Sequence, residues 1–284
     1  MKQAILVVAF GTTIKEARVN NIDAVFNRIK DAYADYDCLL AFSSRIIVKR
    51  LRDRGEEIMT EQLAMEQLID AGYEKIYVQP LHFAGGGEYE KLKRNIMNYE
   101  GAGNLTSLIV GRPLNFYMAQ EEHPDDYQLF IDKFIATLPI PEGEGLVLVG
   151  HGGLDSGNSV YGMLQCKLLL NGMNHVRIAV LENAPYLEDT TFNWEILGGK
   201  RPRVLHVHPL LLVCGDHANN DLFGDEDDSV INQLRAQGYE VKIHRAGLGE
   251  YRAIQDLYVE HVQDMIDDCY GKRSTHRPVI PNIK

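Results

Sequence analysis

Short apolar runs that stop at a glycine or a polar knot recur along this chain, each followed by a segment of helical spacing. Ala4–Phe10 ends at Gly11-Thr12-Thr13, and Lys75–Leu81 precedes Gly85-Gly86-Gly87. Gly145–Val149 ends at Gly150-His151-Gly152-Gly153, and Arg203–Val213 ends at Cys214-Gly215. Runs this short and this uniformly apolar are the mark of parallel strands buried on both faces. The chain is therefore expected to be α/β, with parallel sheets covered by helices.

Further strands are predicted at Cys38–Phe42, Ser107–Gly111, Arg177–Leu181 and Glu240–His244. Helices are predicted at Lys15–Tyr33, Arg45–Arg54, Glu61–Asp70 behind a Thr60 cap, Glu88–Tyr99, Asp125–Thr137, Ser156–Met173, Tyr186–Leu197, Asn220–Gln237 and Tyr251–Tyr270. The stretch Leu138-Pro139-Ile140-Pro141-Glu142-Gly143 reads as a linker, after which the pattern restarts. Residues 1–140 then form one half and 141–270 a second, with 271–284 a tail of little periodicity, expected to be disordered. AILVVAFGTT answers GLVLVGHGGL, so Phe10 falls where His151 falls. IYVQPLHFAGGGEYEKL answers VLHVHPLLLVCGDHANNDL, which sets Gly86 on Gly215 and Glu88 on His217.

A formal net charge of −11 argues against a nucleic-acid surface or an anionic membrane as partner. No stretch reaches transmembrane length, and the N-terminal run is too short for a signal peptide's core. Cys38, Cys166, Cys214 and Cys269 are spread without a C-x-x-C pair, which suits reduced thiols in a cytoplasmic protein. Oligomeric state is not legible.

Three strands of the second half lead to His151, Glu182 and His217. Two imidazoles and a carboxylate suit a borderline divalent cation, and three protein ligands leave coordination positions open. Each residue also has a plainer explanation. His151 lies between glycines and can bond its own loop, Glu182 can cap the following helix, and His217 can sit in a turn capped by Asp216 or Asn219. His206 and His208 share one side of their strand, and buried hydrogen-bonded rings are expected there in preference to a second metal site. The acidic group Asp225–Asp228 reads as a solvated helix start.

GHGG, the strand ending in Glu182-Asn183, GDHANND, FGTT and GGGEYEKL together resemble the stand-alone class II tetrapyrrole chelatases. The resemblance is strongest to the branch that inserts cobalt into sirohydrochlorin on the anaerobic route to cobalamin. It implies two Rossmann-like halves related by a pseudo-two-fold, with a cleft for a planar macrocycle. It further implies that His151, Glu182 and His217 bind the metal. Co2+ is then the substrate metal, Fe2+, Ni2+ and Zn2+ can take the same ligands, and no organic cofactor is implied. Some members carry Glu-Ser-Tyr-Pro where this chain has Glu182-Asn183-Ala184-Pro185.

Insertion releases two pyrrole protons, and a neutral imidazole can hold metal or accept a proton. His151 is the expected acceptor, with Glu88 a second candidate whose alternative role is favourable charge at a helix start. Phe10, Gly11 and Thr12 are expected to bind substrate with Gly85, Gly86 and Gly87, the last three by letting backbone approach the ring. The tetrapyrrole's carboxylates would meet Arg45, Arg52 and Arg54, unless that helix simply faces solvent. Iron insertion into the same ring and a non-catalytic tetrapyrrole or metal carrier are the competing readings. A zinc hydrolase is disfavoured, since no carboxylate base follows a ligand histidine in a recognisable motif.

Overall fold

The computed structural model describes residues 2–119, 123–192 and 194–267, and only the backbone at 190, 192 and 216–218. The expected tail at 271–284 lies outside the described residues. The chain begins with β1 (Gln3–Ala9), α1 (Lys15–Ala17), a π-helical stretch over Arg18–Asp23, and α2 (Ala24–Ala32). There follow β2 (Asp37–Phe42), α3 (Arg45–Asp53), β3 (Met59–Thr60), α4 (Glu61–Asp70) and β4 (Lys75–Pro80). Next come α5 (Gly87–Met97), β5 (Ser107–Val110) and α6 (Asp126–Lys133). The pattern restarts with β6 (Gly145–Gly152), α7 (Ser159–Leu170), β7 (Val176–Glu182), α8 (Leu187–Phe192) and β8 (Val204–Pro209). It closes with α9 (Asp216–Phe223), α10 (Val230–Ala236), β9 (Glu240–Ile243) and α11 (Arg252–Ile266).

The strands form two sheets, ordered β3-β2-β1-β4-β5 and β7-β6-β8-β9, and every pairing within them is parallel. The apolar runs are continuous because alternate residues serve different layers. In β1, Ile5, Val7 and Ala9 enter one core while Ala4, Leu6 and Val8 enter another. In β6, Leu146 and Leu148 face one core and Val147 and Val149 the other. Each such valine, leucine or isoleucine contributes about 1.5–3 kcal/mol on burial, so an aspartate at Val7 or Val147 would break its sheet.

The element boundaries differ from expectation at instructive places. The run Arg203–Val213 leaves the sheet after Pro209, because the carbonyls of Leu211 and Leu212 accept from Leu248 and Gly249 instead of a strand. Gly215, in extended conformation, caps α9, so the helix begins at Asp216 and His217 is its second residue, not part of a preceding turn. The segment expected helical over Tyr186–Leu197 is helical only as α8. The expected helix Asn220–Gln237 is interrupted after Phe223, where the Asn232 amide donates to the carbonyls of Gly224, Asp225 and Glu226. The two-residue edge strand β3 was not expected.

The final helix does not stay with its own half. α11 lies against α2 and β4 of the first: Arg28 pairs with Asp256 at 2.7 Å, Tyr33 Oη donates to the Val259 carbonyl at 2.9 Å, and Tyr258 Oη to that of His82 at 3.3 Å. In the other direction, Phe134 beyond α6 meets the rings of His208 and Tyr251. Among the described residues no helix is long and apolar enough to cross a membrane.

Candidate metal centre and cleft

Both sheets change winding direction beside their first strand, between β1 and β4 and between β6 and β8. Crevices for ligands open there at the carboxyl ends of the strands. The two carboxyl edges meet. A Cβ added to Gly157 would lie 2.4 Å from Gly86 Cα, and one on Gly215 would lie 3.8 Å from Thr12 Oγ1. The loop after the first strand of each half thus reaches the glycine that caps a helix in the other. Gly86 and Gly215 hold that N-cap role in α5 and α9, with similarly extended backbones. Glu88 and His217 are the second residues of those helices, as the alignment of the halves anticipates.

β6 carries six buried residues and then puts His151 into the open, with its side chain 55% exposed. Glu182, 60% exposed, ends the neighbouring β7, where the pairing sets it opposite Gly152. His151 Nδ1 lies 3.9 Å from Glu182 Oε2. The glycines around His151 are demanded by their neighbours. A Cβ on Gly150 would strike the Tyr161 ring at 2.2 Å, and one on Gly152 would meet the Glu182 carbonyl at 1.9 Å. Gly152 also has φ +83°, a conformation that disfavours side chains. Tyr161 is stacked on Phe83 of the first half, so the residue under the histidine turn is braced across the molecule.

Two asparagines fasten the His151 and Glu182 loops together. Asn183 Nδ2 donates to the Gly153 carbonyl at 3.1 Å, and Asn158 Nδ2 to that of Ala184 at 2.7 Å. Asn183 stands out in the sequence only as a departure from Glu-Ser-Tyr-Pro, and Asn158 is there indistinguishable from an ordinary loop residue. The side chain of His217 lies outside the described residues, and its backbone opens α9 beyond β8. Among the described residues no three His, Cys, Asp or Glu side chains gather to hold a metal.

On the first-half side, Phe10 is half exposed, Gly11 has φ +103° against Phe42, and Thr12 is buried with its Oγ1 accepting from Ile14 N at 3.2 Å. Gly85 is packed on Phe116, while Gly86 and Gly87 face the carboxylate of Asp155. Glu88 is exposed at the start of α5, 3.9 Å from Lys91. Arg45, Arg52 and Arg54 are exposed; Arg45 donates to Gln62 and Arg54 to the carbonyl of Thr13 at 2.9 Å, which ties it to the Gly11–Thr13 turn. Asp225–Asp228 are exposed.

His206 and His208 are spoken for. His208 meets the Pro209 carbonyl and Tyr251 Oη, each at 2.7 Å, and burial drives its pKa down to about 4. His206 lies between Glu144 at 2.5 Å and His244 at 2.8 Å. These rings form a polar core and leave the exposed His151–Glu182 pair as the open donor set at the edge.

The sequence profile of the cobalt chelatase (CbiK) family matches residues 3–267. The chain is 30% identical over 272 residues to the sirohydrochlorin cobaltochelatase of Salmonella typhimurium, covering 94% of this chain and 97% of that protein. It is 25% identical over 263 residues to the sirohydrochlorin cobaltochelatase CbiKC of Nitratidesulfovibrio vulgaris, covering 92% and 89% respectively. Among solved structures, SirB from Bacillus subtilis with Fe3+ superposes with a TM-score of 0.64 at 18% identity, over 96% of this chain and 98% of that one, a likeness of fold.

Proposed function

This chain belongs to the cobalt chelatase family, and from that premise we propose that it inserts Co2+ into sirohydrochlorin in the cytoplasm. The observation that carries the reading is the exposed pair of His151 and Glu182, 3.9 Å apart at the carboxyl edge of a parallel sheet, with His151 on a strand that flanks its switch point. His217 opens the helix after the adjoining strand.

In this reading His151 and His217 hold the metal above the ring, and Glu182 is a third ligand or balances its charge. A donor set of imidazole and carboxylate binds first-row divalent ions while leaving sites for incoming pyrrole nitrogens. As the ring takes the metal, a bond to His151 breaks and the freed imidazole accepts one pyrrole proton. Glu88, at the first-half position that answers His217, accepts the other. Phe10, Gly11 and Thr12 line the opposite wall with the Gly85–Gly87 turn, and Arg45, Arg52 and Arg54 draw in the ring's carboxylates.

The test is optical. Sirohydrochlorin with Co2+ should be metallated faster with the protein than without it, at substoichiometric protein. Binding of ring and metal without turnover would make this a carrier. A parallel assay with Fe2+ reports the iron reading.

A further inference from the structure

Helix α5 begins without a cap of its own, since its N-cap residue is Gly86. The acceptor arrives from the other half. Asp155 Oδ2 accepts from Gly87 N at 2.6 Å, while Oδ1 accepts from Gly157 N at 2.8 Å in its own loop. A turn-forming role explains the second bond and leaves the first unaccounted for. The contact is close enough to need two glycines: a Cβ on Gly87 would lie 2.7 Å from Asp155 Oδ2, and one on Gly157 would press on the Gly86 backbone. An anion at a helix N-terminus is also favoured by the helix dipole.

The joint lies where the reaction would need it. Asp155 follows His151 along one loop, which Asn158 and Asn183 anchor to the Glu182 segment. Gly87 immediately precedes Glu88. One carboxylate therefore connects the loop of the metal-holding histidine to the end of α5 that carries the first-half acceptor. We propose that Asp155 is a positioning residue for metal insertion, setting the separation of the cleft walls by capping a helix across the two halves. This rests on the chelatase reading above. Asp155 itself need not touch ring or metal. His151 and Glu182 are both held within the second half, so metal affinity and wall spacing are separable.

The experiment compares full-length wild type with Asp155→Ala and Asp155→Asn by three readouts: hydrogen exchange in the first turn of α5, Co2+ affinity without tetrapyrrole, and steady-state insertion. In Asp155→Ala, exchange should rise and kcat/KM should fall by about tenfold, the scale of one charge-assisted hydrogen bond, with Co2+ affinity unchanged. Asp155→Asn keeps one carbonyl oxygen and should recover part of both losses. Wild-type exchange and turnover in Asp155→Ala would overturn the proposal. So would a loss of Co2+ affinity in proportion to turnover, which would make Asp155 a support of the metal site alone. Should the alanine variant fail to fold, Asp155→Asn decides on the same readouts. If wild type metallates no tetrapyrrole, the chelatase reading falls, while the exchange contrast still reports whether Asp155 joins the halves.

Discussion

Asn183 donates its side-chain amide to the carbonyl of Gly153 across 3.1 Å, from a backbone with φ +73°. It thereby ties the segment after Glu182 to the turn after His151. Asparagine tolerates this left-handed conformation better than most residues, and glycine better still. Asn183→Gly therefore removes the bond alone and should weaken Co2+ binding by roughly five- to tenfold, about 1 kcal/mol. Asn183→Ala adds backbone strain and should also lower the melting temperature. A Co2+ titration showing wild-type affinity in both would leave the amide no part in ordering the pair.

The proposed metal ligands can be tested one at a time. His151→Ala and His217→Ala should fold, bind tetrapyrrole and lose insertion at ordinary Co2+ concentration. Glu182→Gln should match them if the carboxylate is a ligand and be milder if it only balances charge. Crystals soaked in Co2+ should show anomalous density about 2.0–2.2 Å from the imidazole nitrogens. An undiminished rate in His217→Ala would remove that residue from the centre.

Glu88 is exposed in the first turn of α5. Glu88→Gln should lower kcat and flatten the acid limb of the rate profile while Co2+ binding stays intact. Full turnover would reduce Glu88 to helix-end charge.

The three arginines should not be equivalent. α3 starts at the carboxyl end of β2 and runs away from it, so Arg52 lies about 10 Å further along the axis than Arg45. Arg45→Gln should raise KM with kcat held, and more than Arg52→Gln does; high salt should shrink the difference. Arg54→Gln also removes the bond to the Thr13 carbonyl, so a fall in kcat is expected there. Equal, null effects at Arg45 and Arg52 would assign both to bulk solvent.

Stability should fall in mild acid. Burial holds His82 and His208 down at about 4, against about 6.5 for an exposed histidine. Both ring nitrogens of His82 are buried without a hydrogen-bond partner. Between those values the unfolded chain binds protons that the folded chain refuses. The contribution is therefore full above about pH 6.5 and is lost as pH drops toward 4, at up to about 1.4 kcal/mol per pH unit for each ring. Urea unfolding of His82→Gln should show this slope reduced by about one proton. An unchanged slope would mean that His82 is not the linked group.

The parallel α/β architecture and the pairing of halves were legible because burial on both faces writes unbroken apolar runs, as in Ile5–Ala9 and Leu146–Val149. Glu182 and His151 were legible as strand ends, since each follows such a run. What stayed hidden is whatever depends on chain segments far apart in sequence. The bond that Asp155 accepts from Gly87 N joins residues 68 positions apart, and nothing local to the glycine run announces the carboxylate packed against Gly86 and Gly87. The end of β8 was overestimated because Leu210–Val213 is as apolar as a strand, though its carbonyls serve the loop at Leu248 and Gly249.

The crossing of α11 to the first half bears on how the molecule is made. Domains commonly fold in the order in which they leave the ribosome. Here Ile22, Val25 and Ile29 share a core with Ile254, Leu257 and Val262, so the first half stays uncovered along α2 until α11 has been made. A nascent chain stalled before Arg252 would present both incomplete halves to chaperones together, and maturation would be a single event that waits for α11 to leave the ribosome.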